Sequence, residues 1–157
     1  MANSAGVANS FKSEVMLGQH QLGAVTLTSR TSLTSPTTDT VKAALYLNTA
    51  SISASTGSYT ATGECDGGGG YSAGGVTVTN ATAPSTSGTT GIWTPSASLV
   101  FSNISPSVNV DCVLIYNSTQ SNKAIEACTF TGQKPVAADL TLTMPTHAAS
   151  TALLRIA

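Results

Sequence analysis

Apolar and polar positions along this chain alternate with the two-residue period of a strand, and almost nowhere with the 3.6-residue period of a helix. Thr40 to Leu47 shows it best: Val41, Ala43, Leu45 and Leu47 fall on one face, and Thr40, Lys42, Ala44 and Tyr46 on the other. Val25-Thr26-Leu27-Thr28 alternates as cleanly. Further strands are predicted at Ser58–Gly63, Gly75–Thr79, Ser98–Phe101, Asp111–Tyr116, Ala124–Thr131, Leu140–Met144 and Ala152–Ile156, where β-branched and aromatic residues suit a pleated surface. Turn clusters separate them, among them Thr34-Ser35-Pro36, Asp66-Gly67, Pro84 to Gly91, Asn117 to Asn122 and Met144-Pro145-Thr146. The one helical candidate is Ser10–Leu17, with Ser10 as cap, Phe11 and Val15 four apart on one face, and Gly18 as stop.

Eight or nine short strands without crossover helices predict an all-β fold, a jelly roll or β-sandwich of about eight strands. The expected organisation is an N-terminal arm and short helix over residues 1–18, its first ten residues flexible, and a single β domain over 19–157. Asp111-Cys112-Val113-Leu114-Ile115-Tyr116 is apolar on both faces, so it is either central and covered on both sides or turned toward a partner. The adjacent Leu153 and Leu154 raise the same question.

Composition narrows the classes. The chain has 157 residues, enough for one core, and only 8% of them are charged, against about 25% in an ordinary domain. Ser and Thr together make up roughly 29%. A net charge of −1 leaves no electrostatic footprint for nucleic acid or an anionic membrane. No apolar run approaches the ~18 residues of a membrane helix. So little surface charge favours an oligomer over a monomer. The start, Met1-Ala2-Asn3-Ser4-Ala5-Gly6, has neither the basic nor the apolar region of a secretory signal, so synthesis in a cytosol is expected. Three cysteines, Cys65, Cys112 and Cys128, with no CxxC spacing, argue against a disulfide framework and a zinc site. The sequons at Asn80, Asn103 and Asn117 then carry no meaning.

The sharpest catalytic pattern is Gly70-Tyr71-Ser72-Ala73-Gly74, a G-x-S-x-G match followed in chain order by Asp111, Asp139 and His147. A nucleophile elbow needs a strand before it and a helix after it. Here glycines Gly67 to Gly70 precede it and a strand pattern follows, so no catalytic residue is assigned. The same glycines lack the Lys-Ser/Thr end of a phosphate loop; they suit positive φ or close approach to another backbone. His20 and His147 have no second ligand nearby, and Glu64 with Asp66 makes at most a loose cation site, so no metal or other cofactor is expected. Trp93 is either core or a contact anchor. Phe11, alone on a polar arm, needs something to bury it.

Several segments together carry a resemblance. They are Thr40-Val41-Lys42-Ala43-Ala44-Leu45-Tyr46-Leu47, Tyr59-Thr60-Ala61-Thr62-Gly63-Glu64, Gly70-Tyr71-Ser72-Ala73-Gly74-Gly75-Val76, Cys112-Val113-Leu114-Ile115-Tyr116-Asn117, Leu140-Thr141-Leu142-Thr143-Met144-Pro145 and Ala152-Leu153-Leu154-Arg155-Ile156. From about Phe11 onward the chain resembles small tailed-phage virion proteins encoded near the major capsid protein, and among them the capsid cement or decoration proteins, some of which are jelly rolls. The run Cys65-Asp66-Gly67-Gly68 departs from the shorter turn expected there. The resemblance implies a structural, non-enzymatic protein on the capsid exterior, made in the host bacterial cytoplasm. Its implied partners are the major capsid protein and its own copies, as homodimer or homotrimer. Candidate capsid or oligomer contacts are Phe11, Val15, Met16, Tyr71, Trp93, Val113, Ile115 and Leu153. The rival readings are a tail, fibre or receptor-binding module using the Gly67–Gly75 loop, a tail-tube or head-completion subunit, and a hydrolase with Ser72 as nucleophile.

Overall fold

The computed structural model describes residues 3–16, 18, 20, 22–23, 38–67 and 69–156. The strand expected at Val25–Thr28, the turn at Thr34-Ser35-Pro36 and the side chain of Met16 lie outside the described residues. In chain order the elements are β1 (Gly6–Val7), α1 (Asn9–Met16), β2 (Val41–Leu47), β3 (Val76–Thr77) and β4 (Ser85–Ser87). There follow β5 (Thr90–Trp93), β6 (Leu99–Ile104), β7 (Val110–Asn117), β8 (Lys123–Gln133), β9 (Ala138–Leu142) and β10 (Leu154–Ile156).

The fold is an all-β sandwich. One side is a five-stranded antiparallel sheet in the order β1-β8-β7-β2-β3. The other side is made of a three-stranded sheet, β10-β5-β4, and the pair β6-β9, both antiparallel. β7 is central, which answers the question its two apolar faces pose: Val113 and Ile115 are buried on one face, Cys112, Leu114 and Tyr116 on the other. On the second face Tyr59 stacks on Tyr116 with ring centroids 4.9 Å apart, and the Tyr46 hydroxyl donates to the Thr60 carbonyl at 2.6 Å. Burying these strands on both faces is the main apolar contribution of the core.

The expected flexible arm is instead folded onto the body. Ser4 N donates to Ile52 O, Ala8 N to Ile125 O and Asn9 N to Ala54 O, and β1 adds to the edge of β8 with Val7 opposite Glu126. α1 starts one residue before the expected Ser10. It stops at Gly18, which has φ +68° and donates to the Val15 carbonyl. Phe11 is therefore core at 1% exposure, its ring 4.7 Å from that of His20, which corrects its reading as an arm anchor awaiting a partner.

Two other expectations are corrected. The Pro84 to Gly91 turn cluster contains the β4–β5 hairpin, with Ser87 opposite Thr90 and Gly88 at φ +62°. β4 is Ser-Thr-Ser and β5 opens on Thr-Gly, so neither shows a hydrophobic alternation to read, and Ile92 and Trp93 at the end of β5 are buried. Ser58–Gly63 is irregular, joined to its neighbours by the isolated bridges Ser58–Lys123 and Tyr46–Glu64. Its tyrosine is used sideways, as a lid on β7, rather than in a ladder.

Candidate binding surfaces and the Glu64 node

The glycine-rich segment after Cys65 is held by a buried carboxylate. Glu64 accepts hydrogen bonds from the hydroxyls of Tyr59 and Tyr71, both at 2.6 Å, and from Gly74 N at 2.7 Å. The Tyr116 hydroxyl donates to Gly74 O at 2.7 Å, and Leu45 N donates to the Tyr71 oxygen at 3.0 Å. Charge-assisted bonds of this kind satisfy a carboxylate that burial would otherwise penalise. Burial first, then the Glu64 charge it bonds, pushes the Tyr59 phenol up to about 12, so it stays a donor throughout the physiological range.

Within the loop and at its end the glycines are required by space. A Cβ on Gly70 would lie 1.9 Å from Ser102 O, and one on Gly75, at φ +70°, would lie 1.9 Å from Ala43 O. The loop thus lies flat against β6 and β2. Asp66 closes its start by accepting from Ser107 N at 3.0 Å.

The G-x-S-x-G pattern does not assemble a triad. Ser72 is exposed in a turn, its carbonyl accepting from Gly75 N. Asp111 accepts from Asn3 Nδ2 at 2.7 Å, Asp139 from Asn103 N at 2.7 Å, and His147 Nε2 lies 2.9 Å from Ser85 Oγ. Each group has its own structural partner. His147 Nδ1 is buried without a partner among the described residues. Among the described residues no group of three or more His, Cys, Asp or Glu side chains is placed to hold a metal ion. No helix among them is long and apolar enough to cross a membrane.

The candidate contacts sort into three places. Val113, Ile115 and Leu153 line one apolar cavity of about 220 Å³, with Cys128, Phe130, Leu142 and Met144. Phe11, Val15 and Trp93 line a second of about 170 Å³, with Leu22, Ile92, Leu154 and Ile156. Tyr71 belongs to the Glu64 node. The adjacent leucines are thereby explained, since Leu153 and Leu154 face opposite ways out of one strand end and serve different cavities. Trp93 is core at 1% exposure with its indole N–H donating to Asn80 Oδ1 at 2.8 Å, so its reading as a contact anchor is corrected. Val113 and Ile115 are buried in a central strand and likewise do not meet a partner, whereas Val15 and Ile156 are exposed at the rim of the second cavity.

Two polar features had no legible sequence signal. Asn117, fully buried, donates through Nδ2 to Asp39 Oδ2 at 2.6 Å, and that same nitrogen lies 3.1 Å from His20 Nδ1. Glu126, on the face of β8 shared with Cys128, is pushed up to about 7 by burial, which the Arg155 guanidinium only partly offsets. Burial likewise raises the thiols of Cys112, to about 12, and of Cys128, so neither is a ready thiolate. Compared with known proteins, the chain matches no family model, no curated protein and no solved structure.

Proposed function

We propose that this protein is a structural component of a phage virion that binds the outside of the capsid shell and stabilises it by bridging copies of the major capsid protein. One observation carries the reading. Apolar side chains stand exposed, Val15, Val100, Val108, Val136 and Ile156 among them, on a body with only 8% charged residues. A surface so short of charge is suited to being covered by neighbours. The resemblance of the strand segments to cement and decoration proteins names the neighbour. The mechanism is linkage: a chain that binds only the assembled shell stabilises that state, and bridging two subunits multiplies modest contacts. Self-association as a dimer or trimer fits the same economy of charge. For the rival fibre reading, the loop that would present a receptor site lies flat on β6, anchored by Glu64 and Asp66.

The test is the copy number of this chain in gradient-purified particles, relative to the major capsid protein. A ratio near one, or a simple fraction of it set by shell symmetry, is expected. A ratio of a few per cent would move the protein to the tail or fibres, and absence from particles would end the virion reading.

A further inference from the structure

The exposed apolar residues are not scattered evenly. β6 pairs with β9 up to Ile104 opposite Ala138, and β7 pairs with β8 from Val110 opposite Gln133. These two registers bring the 105–109 connection and the 134–137 connection side by side at one end of the sandwich. Each carries an exposed valine, Val108 at 36% and Val136 at 74%. The 105–109 connection is fixed. Ser105 N donates to Gly67 O, Asn48 N donates to Asn109 O, and the Ser107 hydroxyl and amide donate to Asp66. Next to Val136, Ala137 holds φ +51°, a left-handed conformation that a residue with a Cβ adopts only at a cost.

Charge is sorted to the same end. Asp66 and Asp139 are exposed there and Asp111 is half-buried beside Gly132, with Lys134 the one cation among them. The other described carboxylates, Asp39, Glu64 and Glu126, are turned inward. Lys42 and Lys123 stand at the opposite end, paired with Tyr116 and Asn117. An apolar tip bordered by aspartates is complementary to an apolar hollow ringed by basic side chains, and it is repelled by nucleic acid and by anionic lipid.

We infer that this tip is the surface that docks on the shell protein, with Val136 entering an apolar hollow and Asp66 and Asp139 facing Lys or Arg around it. The inference rests on the proposed capsid role. It is tested by co-sedimenting the full-length chain with shells assembled from the major capsid protein of the same virion. The variants are Val136→Asp, the double Asp66→Asn/Asp139→Asn, and Thr89→Asp in the exposed β4–β5 turn as a control of equal charge. Their folding is checked by the denaturation midpoint. The wild-type chain and Thr89→Asp are expected to bind alike, and Val136→Asp to bind at least about tenfold more weakly. The double Asn variant is expected to lose most of the salt dependence of wild-type binding. Val136→Asp binding as well as Thr89→Asp would overturn the tip and leave the capsid role standing. A wild-type chain that does not bind shells would overturn the capsid role, and the tip with it.

Discussion

Glu126 gives the most direct check on the packing of the five-stranded sheet. Its Oε2 is buried and accepts no hydrogen bond among the described residues. It lies opposite Val7 of β1 and Ile115 of β7, and among the described residues the opposing charge acting on it is that of Arg155 in β10, whose Nη1 donates to the Ser150 carbonyl at 2.9 Å. Burial pushes the carboxyl from 4.5 up to about 7 in the folded chain. The folded state therefore holds a proton that the unfolded state has released, and stability falls as pH rises through that window. The loss begins near 4.5 and is complete somewhat above 7, and a shift of that size corresponds to about 3 kcal/mol. Urea denaturation of the wild-type chain and of Glu126→Gln, at intervals from acid to mildly alkaline pH, isolates this contribution, because the other titrating groups cancel in the difference. The variant should be the more stable by about 2–3 kcal/mol on the alkaline side, with the gap closing or reversing in acid. A difference that stays constant with pH would mean that Glu126 reaches solvent or a partner in the folded protein, and the burial argument would fail.

Three further outcomes follow from distances and burial already described. Gly75→Ala should abolish soluble folding, since its Cβ would meet Ala43 O at 1.9 Å, whereas Gly88→Ala, also at positive φ but with nothing within 4 Å, should cost only about 1 kcal/mol in a denaturant titration. Phe11→Ala should destabilise by about 3–5 kcal/mol, because the ring is core; a change under about 1 kcal/mol would restore the flexible arm. Glu64→Ala leaves two tyrosine hydroxyls and the Gly74 amide without their acceptor, and should cost about 3 kcal/mol or more along with the near-ultraviolet tyrosine signal.

The strands that were legible are those whose side chains do the packing. β2, β6, β7 and β8 each carry a run of alternating or doubly apolar residues, and the residues that made Thr40 to Leu47 and Asp111 to Tyr116 readable are the ones now buried. Where pairing depends on backbone alone, the pattern is silent. β4 is Ser-Thr-Ser and β1 is Gly-Val, and neither differs in composition from the loops around it. The error at Phe11 has a different origin. An aromatic residue among small polar neighbours looks orphaned in sequence, but the fold sets it against His20 and gathers it with Trp93 and Leu154, distant in the chain, around one cavity.

The same limit governs what could be read of the contact surface. Sequence reasoning favours large apolar residues as anchors, and in this chain those residues are consumed by the core: Phe11, Trp93, Val113 and Ile115 are all buried. A valine in a Lys-Pro-Val-Ala-Ala turn carries no such signal. It becomes a candidate only when register shows that the turn lies beside a second one bearing Val108, and that the exposed aspartates gather around both. Surface function in a fold with so few charges is therefore decided by position rather than by residue type. Two valines and two aspartates distributed over the whole surface would carry no such argument; gathered at one end, with Lys42 and Lys123 at the other, they are what the proposed docking rests on.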